Sequence, residues 1–188
     1  MNRSSLLMVV ILVAAALAAC APAGAAPAPT TTTGADQYIR GLQLFNQSQF
    51  QQAVDQFSQA ITLNPQNSLA YYARGNAYGM LGKLPDAISD FKQAILLNPK
   101  DDVSYFALAV AYANQGSPAD AIAALDKAIA LKDSVADYYG LRGTLYAEAK
   151  DAQHAIPDLE KALSLGLDAQ QTQKVQSLLQ QMKSQPTP

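Results

Sequence analysis

Residues 68–101 read SLAYYARGNAYGMLGKLPDAISDFKQAILLNPKD, and this stretch decides the fold. It holds two short amphipathic helices and a tight turn. The first helix spans Leu69–Leu81 and stops at Gly82, a residue that tolerates the left-handed conformation of a helix end. The second opens at Leu84–Pro85, where proline is tolerated because a first-turn N–H has no helical partner. It closes at Asn98–Pro99, since the residue before a proline is pushed out of the helical region.

Slid along the chain, the stretch recurs every 34 residues. Gly41, Gly75, Ala109 and Gly143 keep this spacing, as do Leu44, Tyr78, Tyr112 and Tyr146. Ala53, Ala87, Ala121 and Ala155 follow, with Phe57, Phe91, Leu125 and Leu159 behind them. Ala60, Ala94, Ala128 and Ala162, then Leu63, Leu97, Leu131 and Leu165, complete the series. Small residues stand where helices must approach closely, and large ones fill the space beside them. A lone helix pair cannot bury its apolar side, so pairs must stack. The pattern resembles the tetratricopeptide repeat, with Tyr71, Arg74-Gly75, Tyr78, Ala87, Phe91, Ala94 and Pro99 at the motif positions of the second unit. The resemblance runs from Gly34 to Leu167. It implies an all-α, right-handed α-solenoid of four TPR helix pairs (34–67, 68–101, 102–135, 136–167) plus a C-terminal capping helix (168–183). Gln37 departs from the motif at the first aromatic, and Asp133 and Leu167 depart at the closing proline. Pro157 stands inside the last second helix, where it removes a bond to Gln153 and is expected to bend the helix.

Within the repeats, the first helices are expected over Ala35–Gln47, Leu69–Leu81, Asp102–Gln115 and Ala136–Ala149. Ser48, with Gln51 three residues on, suggests a capping box for the next helix. Ser117-Pro118 and Asp151 suggest further starts. Asp168 opens a last helix, Ala169–Lys183, whose Val175, Leu178, Leu179 and Met182 form one apolar stripe. That stripe suits a solenoid cap; the alternative is a helix that binds a partner. The tail 184–188 is expected to be disordered.

The first 20 residues read MNRSSLLMVVILVAAALAAC. Arg3 precedes a 14-residue apolar run, Leu6–Ala19, shorter than the roughly 20 residues of a spanning helix and suited to a secretory signal. Leu17-Ala18-Ala19-Cys20 resembles a bacterial lipobox, which implies a signal peptide over 1–19 and lipidation of Cys20. An ordinary secretory signal and a retained membrane helix are the alternatives. Two or three acyl chains hold a protein stably to a membrane, as one does not. Residues 20–35 then form an Ala/Pro/Thr-rich tether, able to reach about 50 Å when extended. In the lipoproteins this terminus resembles, an Asp after the Cys favours inner-membrane retention. Ala21 points instead to the outer membrane facing the periplasm in a Gram-negative source, and otherwise to the outer face of the cytoplasmic membrane.

The composition limits the chemistry. The chain has 188 residues, 49% of them hydrophobic, with a formal charge of -2, one His and one Cys. No basic run suggests nucleic acid, and one Cys allows no intrachain disulfide. No metal site, cofactor or catalytic residue is expected, and the chain is not expected to be an enzyme. His154 reads as a solvated or capping residue, and Asp86, Asp90, Asp120 and Asp126 as members of a solvated outer face. Tyr71, Tyr78, Tyr105, Tyr112, Tyr139 and Tyr146 fall at repeat-core positions.

At about 100° per residue, a second stripe of each first helix lies away from the packing stripe. Tyr38, Leu42 and Phe45 mark it in the first repeat, Leu69, Tyr72 and Asn76 in the second, and Phe106, Val110 and Asn114 in the third. Asp137, Thr144 and Glu148 follow in the fourth. In the tetratricopeptide family this stripe lines the concave groove. Members that grip a C-terminal carboxylate place Lys, Arg and Asn there; here asparagines stand without a positive charge. The resemblance therefore implies a lipid-anchored protein–protein interaction module or adaptor of the bacterial cell envelope, taking a partner peptide or helix in an apolar, aromatic groove. The alternative is a structural lipoprotein that self-associates without a dedicated peptide ligand. Coverage of the groove by the tether or the terminal helix is a further alternative.

Overall fold

The computed structural model describes residues 33–184. The expected signal peptide, Cys20, most of the tether and the residues after Ser184 lie outside that range. The described residues form α1 (Gly34–Asn46), α2 (Phe50–Leu63), α3 (Ser68–Met80), α4 (Leu84–Leu97), α5 (Asp102–Gln115), α6 (Pro118–Leu131), α7 (Ala136–Glu148), α8 (Ala152–Leu165) and α9 (Ala169–Ser184), with no strand among them. None of these helices is long and apolar enough to cross a membrane.

Each odd-numbered helix from α1 to α7 packs on the even-numbered helix after it, and each even-numbered helix on the next odd one, so the fold is an all-α solenoid. The pairs close because three first helices carry a glycine under a large side chain. A Cβ at Gly41 would stand 2.5 Å from the Phe57 ring, one at Gly75 2.7 Å from Phe91, and one at Gly143 2.8 Å from Leu159. The third pair uses Ala109 and Leu125, both fully buried. First helices also touch the next first helix, α1 with α3, α3 with α5 and α7 with α9. The second helices make no comparable contact among themselves, so the first helices line the inside of the curve.

The seams between pairs differ. On α3 the residues facing the preceding pair are Ala70, Ala73 and Ala77, all buried; the same phase on α5 gives Ser104, Ala107 and Ala111. On α7 it gives Tyr138, Leu141 and Leu145. Alanines let helices approach, whereas a tyrosine and two leucines hold them apart. Accordingly α6 and α7 pack more sparsely than α2 with α3 or α4 with α5, and the backbones of α5 and α7 approach each other less than those of other successive first helices.

Caps follow a shared phase as well. Ser48, Gly82, Gly116 and Lys150 are each 34 apart and all adopt positive φ, at 60°, 72°, 86° and 61°. Ser48 is therefore the left-handed turn residue after α1, not the expected N-cap. Gln49 caps α2 without a side-chain bond. Ser117 occupies the N-cap of α6 but likewise makes no capping bond. Asp151 caps α8 as expected, accepting from the His154 N–H, and Asp168 caps α9 by accepting from the Gln171 N–H at 2.7 Å. α8 runs unbroken through Pro157. In α9, Val175, Leu179 and Met182 are buried against Ala155 and Leu159, and Leu178 packs at the edge.

Left-handed backbone costs a residue with a Cβ about 1–2 kcal/mol, from which the extra chain entropy of glycine must be subtracted. Ser48→Gly and Lys150→Gly are each expected to stabilise the fold by roughly 0.5–1 kcal/mol, read as a raised urea midpoint. A lowered midpoint for both would contradict the turn assignment.

Candidate functional site

The stripe singled out in the sequence lies on the inner helices, but its members differ in how they are held. Leu42 and Leu69 are exposed, at 36% and 55%. Asn76, Val110 and Asn114 are half-buried. The aromatic residues turn partly inward. Tyr38 lies 5.8 Å from Phe57 between ring centroids, Tyr72 6.0 Å from Phe91, and Phe45 5.3 Å from Phe50. Phe106 packs forward across the seam, 4.9 Å from Tyr138. The rings thus support the fold while presenting an edge to the groove.

Tyr38, Tyr72 and Phe106 share one phase, and the fourth repeat places Gly140 there. The missing ring, together with the wide α5–α7 spacing, leaves a cleft of about 100 Å³. Val110, Ala113 and Asn114 form its α5 wall, Gly140, Leu141, Thr144 and Leu145 its α7 wall, and Leu167, Gln171, Lys174 and Val175 its far side. Asp137 and Glu148 stand at its rim. α9 is in phase with the first helices: Val175 follows Leu141, and Gln171 follows Asp137, by 34. It lies beside the cleft as a fifth inner helix, and the Gln171 side-chain amide donates to Asp137 at 2.9 Å.

A polar cluster holds the near side of this seam. The Tyr138 hydroxyl donates to Asp102 at 2.6 Å, and fully buried Ser104 donates to Asp101. Burial, and secondarily the bond to Asp102, pushes the Tyr138 phenol above its ordinary value. Burial likewise raises the Tyr72 phenol.

The guanidinium groups of Arg74 and Arg142 are turned toward the outer helices. Arg74 donates to Asp90 through Nε and Nη2 at 2.7 and 2.8 Å, and to Ser58 at 3.0 Å. Arg142, two repeats on, donates to Asp158 at 2.7 and 2.8 Å and also to Asp126. Asp90 is therefore buried and paired, at 5% exposure, rather than part of a solvated face. The paired spacing of Arg74–Asp90 and Arg142–Asp158 was the available signal. In the third repeat Leu108 and Ala124 take those two places, both buried. His154 is exposed; its ring meets Asp151 at 2.7 Å and stacks on Tyr146 at 5.0 Å. The repeat-phase tyrosines are half-buried rather than fully so; Tyr78, Tyr105 and Tyr112 pack at the edge of the main core. Among the described residues no three His, Cys, Asp or Glu side chains are grouped to hold a metal ion.

Four family models described as TPR repeat or tetratricopeptide repeat match residues 41–82, 68–101, 91–123 and 136–165, together more than half of the chain. No curated protein sequence matches the chain. Among solved structures, a crystal structure of MamA is similar at 23% identity and a TM-score of 0.71, covering 81% of this chain and 87% of that one. TTC0263, a thermophilic TPR protein of Thermus thermophilus, is similar at 23% identity and a TM-score of 0.62, covering 80% and 81%. The first TPR of Spaghetti (RPAP3), bound to the HSP90 peptide SRMEEVD, is similar at 26% identity and a TM-score of 0.59, covering 63% of this chain and 95% of that one.

Tyr138→Phe leaves Asp102 without its donor and is expected to lower stability at neutral pH by about 1–2 kcal/mol. A phenol whose folded pKa is raised stabilises fully below its unfolded value, near 10 for tyrosine, and that contribution is lost as pH rises above it. The variant should therefore lose stability less steeply above about pH 10, measured by thermal unfolding over a pH series. An unchanged alkaline slope would contradict the buried-phenol account.

Proposed function

The chain belongs to the tetratricopeptide repeat family, and on that premise we propose that it is a lipid-anchored protein-interaction module of a bacterial cell envelope. The observation that carries this reading is the concave face. Inner helices present Leu42, Leu69 and the edges of Tyr38, Tyr72 and Phe106 beside the open cleft of the fourth repeat. Apolar and aromatic groups on a concave face suit a peptide or helix whose apolar side chains complete the burial. The RPAP3 domain with its HSP90 peptide is a similar fold engaged with a peptide, which supports a peptide-binding role by analogy of fold.

The anchor rests on the sequence of the leader. Leu17-Ala18-Ala19-Cys20 would be cut before Cys20, and the lipidated Cys20 would hold the repeats through the Ala/Pro/Thr tether. Ala21 favours an outer-membrane position facing the periplasm if the source is Gram-negative. The function needs no catalytic group, metal or nucleic acid, since recognition is by burial and hydrogen bonding.

Capture from solubilised envelope tests the reading. A Leu42→Ser, Leu69→Ser, Asn76→Ala variant alters groove residues that carry little of the core. It should capture the partner at least tenfold more weakly, about 1.4 kcal/mol, while keeping its helical circular dichroism. A Gln52→Ala, Ser89→Ala, Lys127→Ala variant on the outer helices should capture normally. The reverse result would sink the groove. Mass spectrometry of the native protein should show Cys20 as the lipidated first residue, and an unlipidated terminus cut elsewhere would refute the anchor.

A further inference from the structure

The cleft between α5, α7 and α9 has a chemistry that the rest of the groove lacks. Its walls are Val110, Leu141, Leu145 and Val175, and it opens where the first three repeats place an aromatic ring. A pocket of this size accepts one large apolar side chain. Its rim is mainly acidic. Asp137 stands in the first turn of α7 and Glu148 is its last residue, and both line the cleft. At a rise of 1.5 Å per residue these carboxylates are about 16 Å apart along the helix. Lys174 is the one cation in the lining, on the opposite wall. Arg74 and Arg142 are committed to Asp90 and Asp158 on the outer helices.

Resting on the concave-groove reading, we infer that this cleft anchors an extended, basic partner segment by a single large apolar side chain with a Lys or Arg on either side. An extended chain advances about 3.3 Å per residue, so roughly five residues span the distance between Asp137 and Glu148. The central side chain fills the place left empty by Gly140, and the two cations meet the carboxylates at the ends of α7. An acidic segment such as SRMEEVD, the peptide bound by the RPAP3 domain, would meet like charge at both ends. The anchor site is thus a product of the fourth repeat's departures from its own pattern: glycine for an aromatic, and two leucines for alanines.

The test uses the full chain purified in detergent and a fluorescein-labelled peptide of the form AKALAKA, with AEALAEA and AKASAKA as controls. AKALAKA should bind, with affinity that falls as salt rises. Both controls should bind at least tenfold more weakly. Gly140→Tyr restores the phase-equivalent aromatic; a Cβ at 140 makes only an ordinary contact with Ala162, at 3.8 Å, so the backbone there admits a side chain. That variant should lose AKALAKA at least tenfold at unchanged helicity. Glu148→Lys, at an exposed position, should narrow the preference for AKALAKA over AEALAEA at least tenfold without disturbing the fold. Equal binding of the acidic and basic peptides, or full binding by both variants, would overturn the inference. If Gly140→Tyr leaves envelope-partner capture intact while the Leu42, Leu69 and Asn76 variant abolishes it, the groove reading stands and the cleft inference falls. If neither variant alters capture, both fall.

Discussion

Everything in this fold depends on how closely the two helices of a pair can approach. At Gly41, Gly75 and Gly143 the place a Cβ would take is already filled by Phe57, Phe91 or Leu159. That contact fixes the distance and rotation of each pair. It also decides which side of the first helix faces its partner and, by elimination, which side is left for the groove. Because the contact recurs every 34 residues, each pair repeats nearly the same geometry and the inner helices fall in a row.

Function enters where the pairs cease to be alike. Tyr138, Leu141 and Leu145 wedge the fourth pair away from the third at positions where the second and third pairs use Ala or Ser. The hydroxyl of Tyr138 on Asp102 then ties α7 to α5 across the gap, and its ring rests on Phe106. One of the three side chains that space the seam, Tyr138, therefore also pins it. Gly140 removes the ring that would fill the opening, and α9 supplies the far wall in place of a fifth pair. Ion pairing follows the same logic of exchange by phase. Arg74–Asp90 and Arg142–Asp158 bridge their pairs, while Leu108 and Ala124 fill the same two positions with apolar contact.

The period, the helix order and the small packing residues, glycine in three units and Ala109 in the third, were legible in the sequence because they recur in all four units, and repetition makes a shared feature stand out. What differs between units was harder to see. Ser48 has the chemistry of a capping residue, and only its phase with Gly82 and Gly116 marks it as a left-handed turn. Asp90 resembles any helix-surface carboxylate until Arg74 is placed opposite it. Gly75 and Gly79 are alike in sequence, yet one lies under a ring and the other faces open space. Helical angle and the family resemblance together point the stripe of Tyr38, Tyr72 and Phe106 to the groove, and neither says how far a long ring folds back onto the core. The cleft has no motif. It comes from the sizes of Tyr138, Gly140, Leu141 and Leu145 relative to their counterparts, a comparison that needs the seams of the fold to give it meaning.

If residues are interchangeable by phase, the third pair already contains the remedy for a crowded second pair, since Ala109 faces the core with Leu125 where Gly75 has Phe91. A double-mutant cycle on Gly75→Ala and Phe91→Leu tests this most directly. Gly75→Ala alone should cost about 1–3 kcal/mol, because the new Cβ overlaps the ring. In the presence of Phe91→Leu the same substitution should cost nearly nothing, a coupling of about 1 kcal/mol or more in urea unfolding. Strict additivity of the two changes would contradict the claim that this contact sets the geometry of every pair.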